Sequence, residues 1–246
     1  MAEGPVRLDR LLANAGAGSR SQVKKLIRSG AVTVNGSAAD PERRVDPSVD
    51  VIILSGRRIG APAMTYVMLN KPCGVICATR DDRNRTVIDL VEEIPEAGKL
   101  FPAGRLDIDT VGLVLLTDDG ALSHQLLSPR SHVEKEYEAE LTRPVNGEDV
   151  QMFASGMDIG DKKPCLPAVL YPCLKNEGER ASARVVIREG RFHQIKRMFE
   201  KTGNTVVRLK RLRIGPLVLD EDLAEGSFRY LTAEEIRMLK SPGEII

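Results

Sequence analysis

The residue types that could do chemistry concentrate between residues 102 and 120, where the chain reads Pro-Ala-Gly-Arg-Leu-Asp-Ile-Asp-Thr-Val-Gly-Leu-Val-Leu-Leu-Thr-Asp-Asp-Gly. Asp107 and Asp109 flank one apolar residue, two positions beyond Arg105. A carboxylate beside a cation can act as a nucleophile or a base. It can equally cap a turn and sit in solvent, as most charged loop residues do. Val111–Leu116 reads as a buried strand, too short for an independent helix and bounded by turn signals. That strand places Asp107 in a loop fed from a rigid support, a common site for function. Spacing alone does not separate Asp107 from Asp109. Asp118 and Asp119 read as caps of a helix through Leu122, His124, Leu126 and Leu127.

Other reactive side chains point nowhere by themselves. His124 and His132 have no serine or cysteine nucleophile signature beside them, so surface or ligand-facing roles are expected. Cys73, Cys77, Cys165 and Cys173 lack zinc-ligand spacing, and no metal site is expected. Reduced thiols fit the chain better than a disulfide framework. Glycine-rich phosphate loops and dinucleotide fingerprints are absent from the sequence. No apolar run reaches the length of a membrane span, and Met1-Ala2-Glu3-Gly4-Pro5 has no signal-peptide core, so a cytoplasmic setting is expected.

The elements that must position these residues fall into two parts. The 246 residues carry a net charge of +1, which selects no partner. Residues 1–60, however, hold ten basic and six acidic side chains, a basic module on a near-neutral body. Its first helix is expected over residues 6–12, ended by Ala15-Gly16-Ala17-Gly18. Ser19 and Gln22 form a capping box for a second helix to about Ser29. Val23, Leu26 and Ile27 supply its buried stripe, while Arg20, Lys24, Lys25 and Arg28 stay wet. Ala31–Val34 then reads as a strand turned by Asn35-Gly36, with a later strand at 50–54. Glycine and proline at 55–62 mark a boundary, so domains 1–60 and 61–246 are expected.

In the second part, strands are expected at 65–69 and 183–188, and a short helix at 86–91 capped by Thr86. Residues 133–141 alternate. Val133, Lys135, Tyr137, Ala139 and Leu141 share one face, and four glutamates the other. Tyr137 reads as a core tyrosine or as a platform for an unstacked base. Asn146 caps a helix holding Val150, Met152 and Phe153. Glu189-Gly190-Arg191 turns into a helix with Ile195, Met198 and Phe199 inward, ended by Gly203. Arg208, Lys210, Arg211 and Arg213 crowd a short alternating run and read as a second RNA contact. Thr232 and Glu235 box the last helix.

Two resemblances give these parts a meaning. Arg7-Leu8-Asp9-Arg10-Leu11-Leu12, Ser19-Arg20-Ser21-Gln22-Val23, Ile27-Arg28-Ser29-Gly30 and Val32-Thr33-Val34-Asn35-Gly36 resemble the alpha-L RNA-binding domain of a small-subunit ribosomal protein. This implies that Arg7, Arg20, Lys24, Lys25 and Arg28 face structured RNA, read by backbone shape. Residues 65 to about 240 resemble the rRNA pseudouridine synthases of the RsuA and RluB type. The matching motifs are Met68-Leu69-Asn70-Lys71-Pro72-x-Gly74, Gly104-Arg105-Leu106-Asp107-x-x-Thr110-x-Gly112-Leu113, Ser128-Pro129-Arg130, Glu134-Lys135-x-Tyr137, and Glu189-Gly190-Arg191-x-His193-Gln194-x-Lys196-Arg197-Met198.

The second resemblance implies an α+β fold, with a small RNA-binding module ahead of a mixed, mostly antiparallel sheet with flanking helices and a cleft across its middle. It implies an isomerase that detaches uracil from ribose and rejoins it through carbon 5, with no cofactor. It makes Asp107 the essential carboxylate, attacking the anomeric carbon or removing the ribose 2′ proton. Lys196 pairs with it, Tyr137 stacks on the flipped uracil, and Arg105 helps extrude the target. The base must leave its stack, which costs a few kcal/mol. The implied partner is ribosomal RNA or a subunit precursor, met by a monomer. Small-subunit rRNA is the first choice, from Gly104–Thr110 and Ser123-His124. Large-subunit rRNA is the alternative. A non-catalytic assembly factor would fit a chain lacking Asp107, Tyr137 or Lys196, and a methyltransferase one with a nucleotide loop.

Overall fold

The computed structural model describes residues 5–47, 50–59, 64–95, 97–128, 131–173 and 180–240. The chain divides into two compact units, Met1–Met64 and Thr65–Ile246.

The first unit holds β1 (Val6–Arg7), α1 (Leu8–Asn14), α2 (Arg20–Arg28), β2 (Val32–Val34), β3 (Ser37–Ala38), β4 (Arg44–Val45), β5 (Ile52–Leu54) and β6 (Arg57–Arg58). Ser19 and Gln22 make the expected capping box on α2. Asn35 and Gly36 turn the β2–β3 hairpin with φ of 54° and 78°, the left-handed pair such a turn requires. Leu8, Leu12, Val23, Ile27, Val32 and Ile52 close a small core. The expected helix start at residue 6 is corrected. Val6 and Arg7 pair with Val45 and Arg44 as a strand, and the helix begins at Leu8 because Arg7 is extended at ψ 137°.

The second unit holds β7 (Tyr66–Lys71), β8 (Phe101–Pro102), β9 (Val111–Thr117), α3 (Gly120–Leu127), β10 (Lys135–Leu141), α4 (Gly147–Ser155), β11 (Val169–Cys173), β12 (Ala181–Ile187), α5 (Gln194–Lys201), β13 (Val206–Ile214), β14 (Leu217–Val218), β15 (Phe228–Tyr230) and α6 (Ala233–Lys240). Among the described residues one nine-stranded sheet runs β11-β12-β10-β13-β9-β7-β15, with β8 and β14 joined to β9 and β13. Every pairing is antiparallel except β13 on β9. β9 is buried along its whole length, as a strand in the middle of a covered sheet must be. Asp119 caps α3, Asn146 caps α4 and Thr232 boxes α6.

One expected element does not form. Residues 86–91 are turns and not a helix. Thr86 accepts from Asp89 N and Asp89 accepts from Thr86 N, the reciprocal bonds of a helix start. The segment is instead held by a parallel bridge of Thr86 to Ile76, with Val87 and Val91 buried. Tertiary burial on both sides of the turn overrides the cap. Part of the expected linker, residues 60–63, lies outside the described residues, as do Pro129 and Arg130 of the Ser128-Pro129-Arg130 motif.

Candidate active site

Asp107 lies on the loop between β8 and β9, and that loop is tied down from below. Lys71, at the end of β7, is fully buried. Its Nζ donates to the carbonyls of Pro72 (3.0 Å), Ile108 (3.2 Å) and Thr110 (2.8 Å). Burial pushes the Lys71 ammonium below its usual range, while Cys77, Cys73, Asp109 and Asp107 oppose that shift. Gly74 N donates to Ile108 O, Thr110 N to Asp107 O, and Leu106 N to Cys77 Sγ. A buried cation that satisfies three carbonyls leaves the loop little freedom to move. Gly112, at the base of β9, has φ 99°. A Cβ there would lie 2.3 Å from Arg211 O, so only glycine lets β9 and β13 approach as parallel neighbours.

The opposite wall comes from α5. Ile195, Met198 and Phe199 face the core, with Phe199 4.9 Å from Phe153. Arg197 donates to Ile159 O at 3.0 Å and bonds Asp161 at 2.6 Å. With that side fixed, Lys196 turns to the loop. Its Nζ is 2.6 Å from Asp109 Oδ1 and 3.6 Å from Asp107 Oδ2. The bond to Lys196 holds the Asp109 carboxyl below the ordinary carboxylate range. His193 sits at the helix start with φ 49°. Its Nε2 is 3.6 Å from Asp107 Oδ1, and its ring stacks on the exposed Phe192 at 3.8 Å.

Tyr137 completes the floor. It lies on β10 directly across from Arg211 of β13 and is 6% exposed. A small pocket and an adjoining cleft of about 850 Å³ share Arg105, Asp107, Tyr137 and His193 in their linings. Arg105 is exposed at this cleft and makes no side-chain hydrogen bond or ion pair among the described residues. The surface pairing of Asp107 with Arg105 that composition allows does not occur.

The structure therefore brings together Asp107, Arg105, Tyr137 and Lys196. Asp109, His193 and Lys71 join them through contacts that sequence spacing could not show, since Lys71 and Lys196 are far from Asp107 along the chain. The backbone turn that aims His193 leaves no mark in residue type.

The basic run on β13 is divided between the two faces of the sheet. Arg208 is exposed, Lys210 half-buried and Arg211 buried. Arg208 and Lys210 lie across from Glu140 and Glu138, and Arg208 pairs with Glu140 and Glu225. Arg211 is 2% exposed and donates from Nε to Leu113 O at 2.7 Å. Strand alternation sends successive basic residues to opposite faces. In the first unit, Arg20, Lys25 and Arg28 are exposed and Lys24 half-buried, whereas Arg7 is already held by Asp9 and Glu42.

Comparison with known proteins decides the family. Residues 65–201 match the RNA pseudouridylate synthase family and residues 6–51 the S4 domain. The chain is a member of the RNA pseudouridylate synthase family. It is 42% identical over 96% of its length to the uncharacterized RNA pseudouridine synthase YtzG of Bacillus subtilis, covering 99% of that protein. It is 43% identical over 94% of its length to ribosomal small subunit pseudouridine synthase A of Escherichia coli, covering 98%. A crystal structure of a pseudouridylate synthase matches with a TM-score of 0.66 and 41% identity over 95% of this chain and 99% of that one. This synthase is thus an isomerase, an S4 module followed by a catalytic domain with a mixed sheet. None of its described helices is long and apolar enough to cross a membrane.

Proposed function

We propose that this synthase converts one uridine of small-subunit rRNA to pseudouridine, with Asp107 as the essential carboxylate. The observation that carries the reading is the position of Asp107. It stands on an anchored loop at the cleft, 3.6 Å from Lys196 Nζ, with Tyr137 and Arg105 lining the same space. Support for the small-subunit substrate comes from full-length relatives that bear that name.

In the reaction the bond from N1 of uracil to C1′ of ribose breaks, and a bond from C5 to C1′ forms. The C5 proton leaves and N1 ends protonated, so no electrons are exchanged with a redox partner. Asp107 begins the cleavage, at C1′ or at the 2′ proton. Both roles need an ionised carboxylate, and the Lys196 ammonium stands 3.6 Å from it. Tyr137 stacks on the flipped uracil. Arg105, unpaired at the cleft, enters the space the base vacates. Arg20, Lys24, Lys25 and Arg28 of the S4 module hold the RNA backbone. Lys210 adds to that field, and Arg7 and Arg208 do so where their carboxylate partners yield. We take the enzyme to act as a cytoplasmic monomer.

The test is incubation of the purified protein with small- and large-subunit rRNA separately, followed by pseudouridine mapping. A new pseudouridine at one position of the small-subunit RNA supports the reading. Modification of the large-subunit RNA alone overturns the substrate assignment.

A further inference from the structure

Two cations of the cleft, Lys135 and Arg211, form no ion pair among the described residues. Lys135 and Tyr137 share one face of β10, and Arg211 lies across from Tyr137 on β13. A β-bulge between Glu136 and Tyr137 sets this arrangement. It leaves Arg213 on the glutamate face, bonded to Glu136 and Glu134, and Arg211 on the cleft face. Bulges commonly re-aim side chains in this way. Lys135 and Arg211 both line the cleft beside Asp107.

Among the described residues the carboxylates lining this cleft are Asp107 and Glu189, and neither forms an ion pair with Lys135 or Arg211; Asp107 faces His193 and Lys196. Glu134 is taken by Arg188 and Arg213, Glu136 by Arg184 and Arg213, and Glu140 by Arg208. All of these lie on the opposite face of β10. Glu189, the one glutamate at the cleft among the described residues, accepts from Leu166 N, Arg191 and Gln194. Among the described residues Lys135 Nζ donates only to Val133 O, at 3.0 Å. Arg211 Nε is bonded to Leu113 O, but its buried Nη2 has no hydrogen-bond partner among the described residues. Burial and the nearby Arg211 charge both push the Lys135 ammonium below its usual range, and no carboxylate opposes them.

Two neighbouring cations, Lys135 half-buried and Arg211 buried with an orphaned N–H group, cost stability unless something compensates them. Here they sit at the wall of a substrate cleft. An RNA entering it brings one phosphodiester anion per nucleotide. A uracil carbonyl could accept a hydrogen bond but would not balance the charge.

We propose that Lys135, backed by Arg211, forms a subsite for a backbone phosphate next to the flipped uridine. This rests on the RNA-modifying reading of the same cleft. Lys135 bonds the phosphate oxygen directly. Arg211 is a positioning residue that raises the local potential and supplies its free Nη2 as the cleft adjusts. The subsite fixes the nucleotide by its backbone while Tyr137 holds its base, so that C1′ meets Asp107.

The experiment compares uridine with uridine 3′,5′-bisphosphate as probes, binding the full-length protein at low salt in calorimetric titrations. The bisphosphate is expected to bind at least tenfold more tightly than uridine. In Lys135→Met that advantage is expected to fall to about twofold, with uridine affinity unchanged. Lys135→Arg is expected to retain it, and Arg184→Gln, on the opposite face, to leave it intact. If circular dichroism shows Lys135→Met unfolded, Arg211→Lys is read in its place, with a loss of advantage expected. An advantage that survives in Lys135→Met overturns the proposal, as does its absence in the wild type. A Lys135→Met protein that loses uridine affinity but keeps the phosphate advantage assigns the lysine to the base and overturns it too. Pseudouridine formation by the wild-type protein on rRNA is measured in parallel. Its absence brings down the RNA-modifying reading, whereas its presence without a phosphate advantage brings down only the subsite.

Discussion

Lys196 donates to Asp109 Oδ1 at 2.6 Å and stands 3.6 Å from Asp107 Oδ2. The lysine thus bridges two carboxylates, with the shorter bond to Asp109. Asp109 is more exposed than Asp107, 59% against 30%, and it orients the ammonium. Asp107→Asn is expected to lower the rate of pseudouridine formation by about 10³-fold or more, within the range seen when acid–base or nucleophilic groups are removed. Asp109→Asn is expected to cost less than about tenfold, because Lys196 then turns fully to Asp107. Single-turnover assays on rRNA read both. An Asp109→Asn loss as deep as that of Asp107→Asn contradicts this division.

Tyr137 offers its ring to the cleft while its hydroxyl has no hydrogen-bond partner among the described residues. Stacking a base on an aromatic ring contributes about 1–3 kcal/mol. Tyr137→Phe should therefore keep activity within about threefold. Tyr137→Ala should lose about 5- to 150-fold, the same energies expressed as a ratio. Equal losses in the two variants, measured as kcat/KM, would mean that the hydroxyl matters and the ring does not.

Gly112 controls the one parallel contact of the sheet. Its φ of 99° and the 2.3 Å approach of Arg211 O to a Cβ leave no room for alanine. Gly112→Ala is expected to destabilise the catalytic domain by about 3 kcal/mol or more. Urea denaturation would show it as a lower midpoint with an unchanged slope. Gly120→Ala, where a Cβ meets nothing within 4 Å, is the control that should stay near wild type.

Asp149 is 3% exposed and bonds Arg143 at 2.8 and 2.9 Å while capping α4. The Arg143 bond is the largest cause holding its carboxyl below the usual 3.8. A depressed carboxyl contributes stability above its unfolded value and loses that contribution as pH falls through its folded one. Asp149→Asn should cost about 1–3 kcal/mol at neutral pH, since Arg143 keeps partial access to water. The gap to wild type should narrow below pH about 4, where the unfolded carboxyl already binds its proton. Thermal melts from pH 7 to 3 read this, and a constant gap would contradict it.

The sequence made the strands, caps and core of this synthase legible because each is local. Ser19 with Gln22, Asn146 ahead of α4, and the unbroken apolar run of β9 announce themselves within a few residues. Thr86–Val91 misled for the same reason, since it carries a local cap whose helix tertiary burial prevents. Asp107, Tyr137 and Lys196 were legible only as members of motifs. That they share one cleft, and that Asp109 holds Lys196, depends on contacts spanning up to 87 residues. That Arg211 and Arg213 face opposite ways turned on a single β-bulge. A run of basic residues reads as one surface until the extra residue decides which of them face the cleft.

The central claim is that Asp107 drives uridine isomerisation in small-subunit rRNA. The most direct measurement is pseudouridine mapping of both rRNAs, by carbodiimide modification and primer extension. Cells carrying the gene, lacking it, or carrying only Asp107→Asn are compared. The account predicts one small-subunit uridine whose mark is present with the gene and absent in both other strains. A mark that survives in Asp107→Asn but not in the deletion would contradict the assignment of the carboxylate and pass it to Asp109.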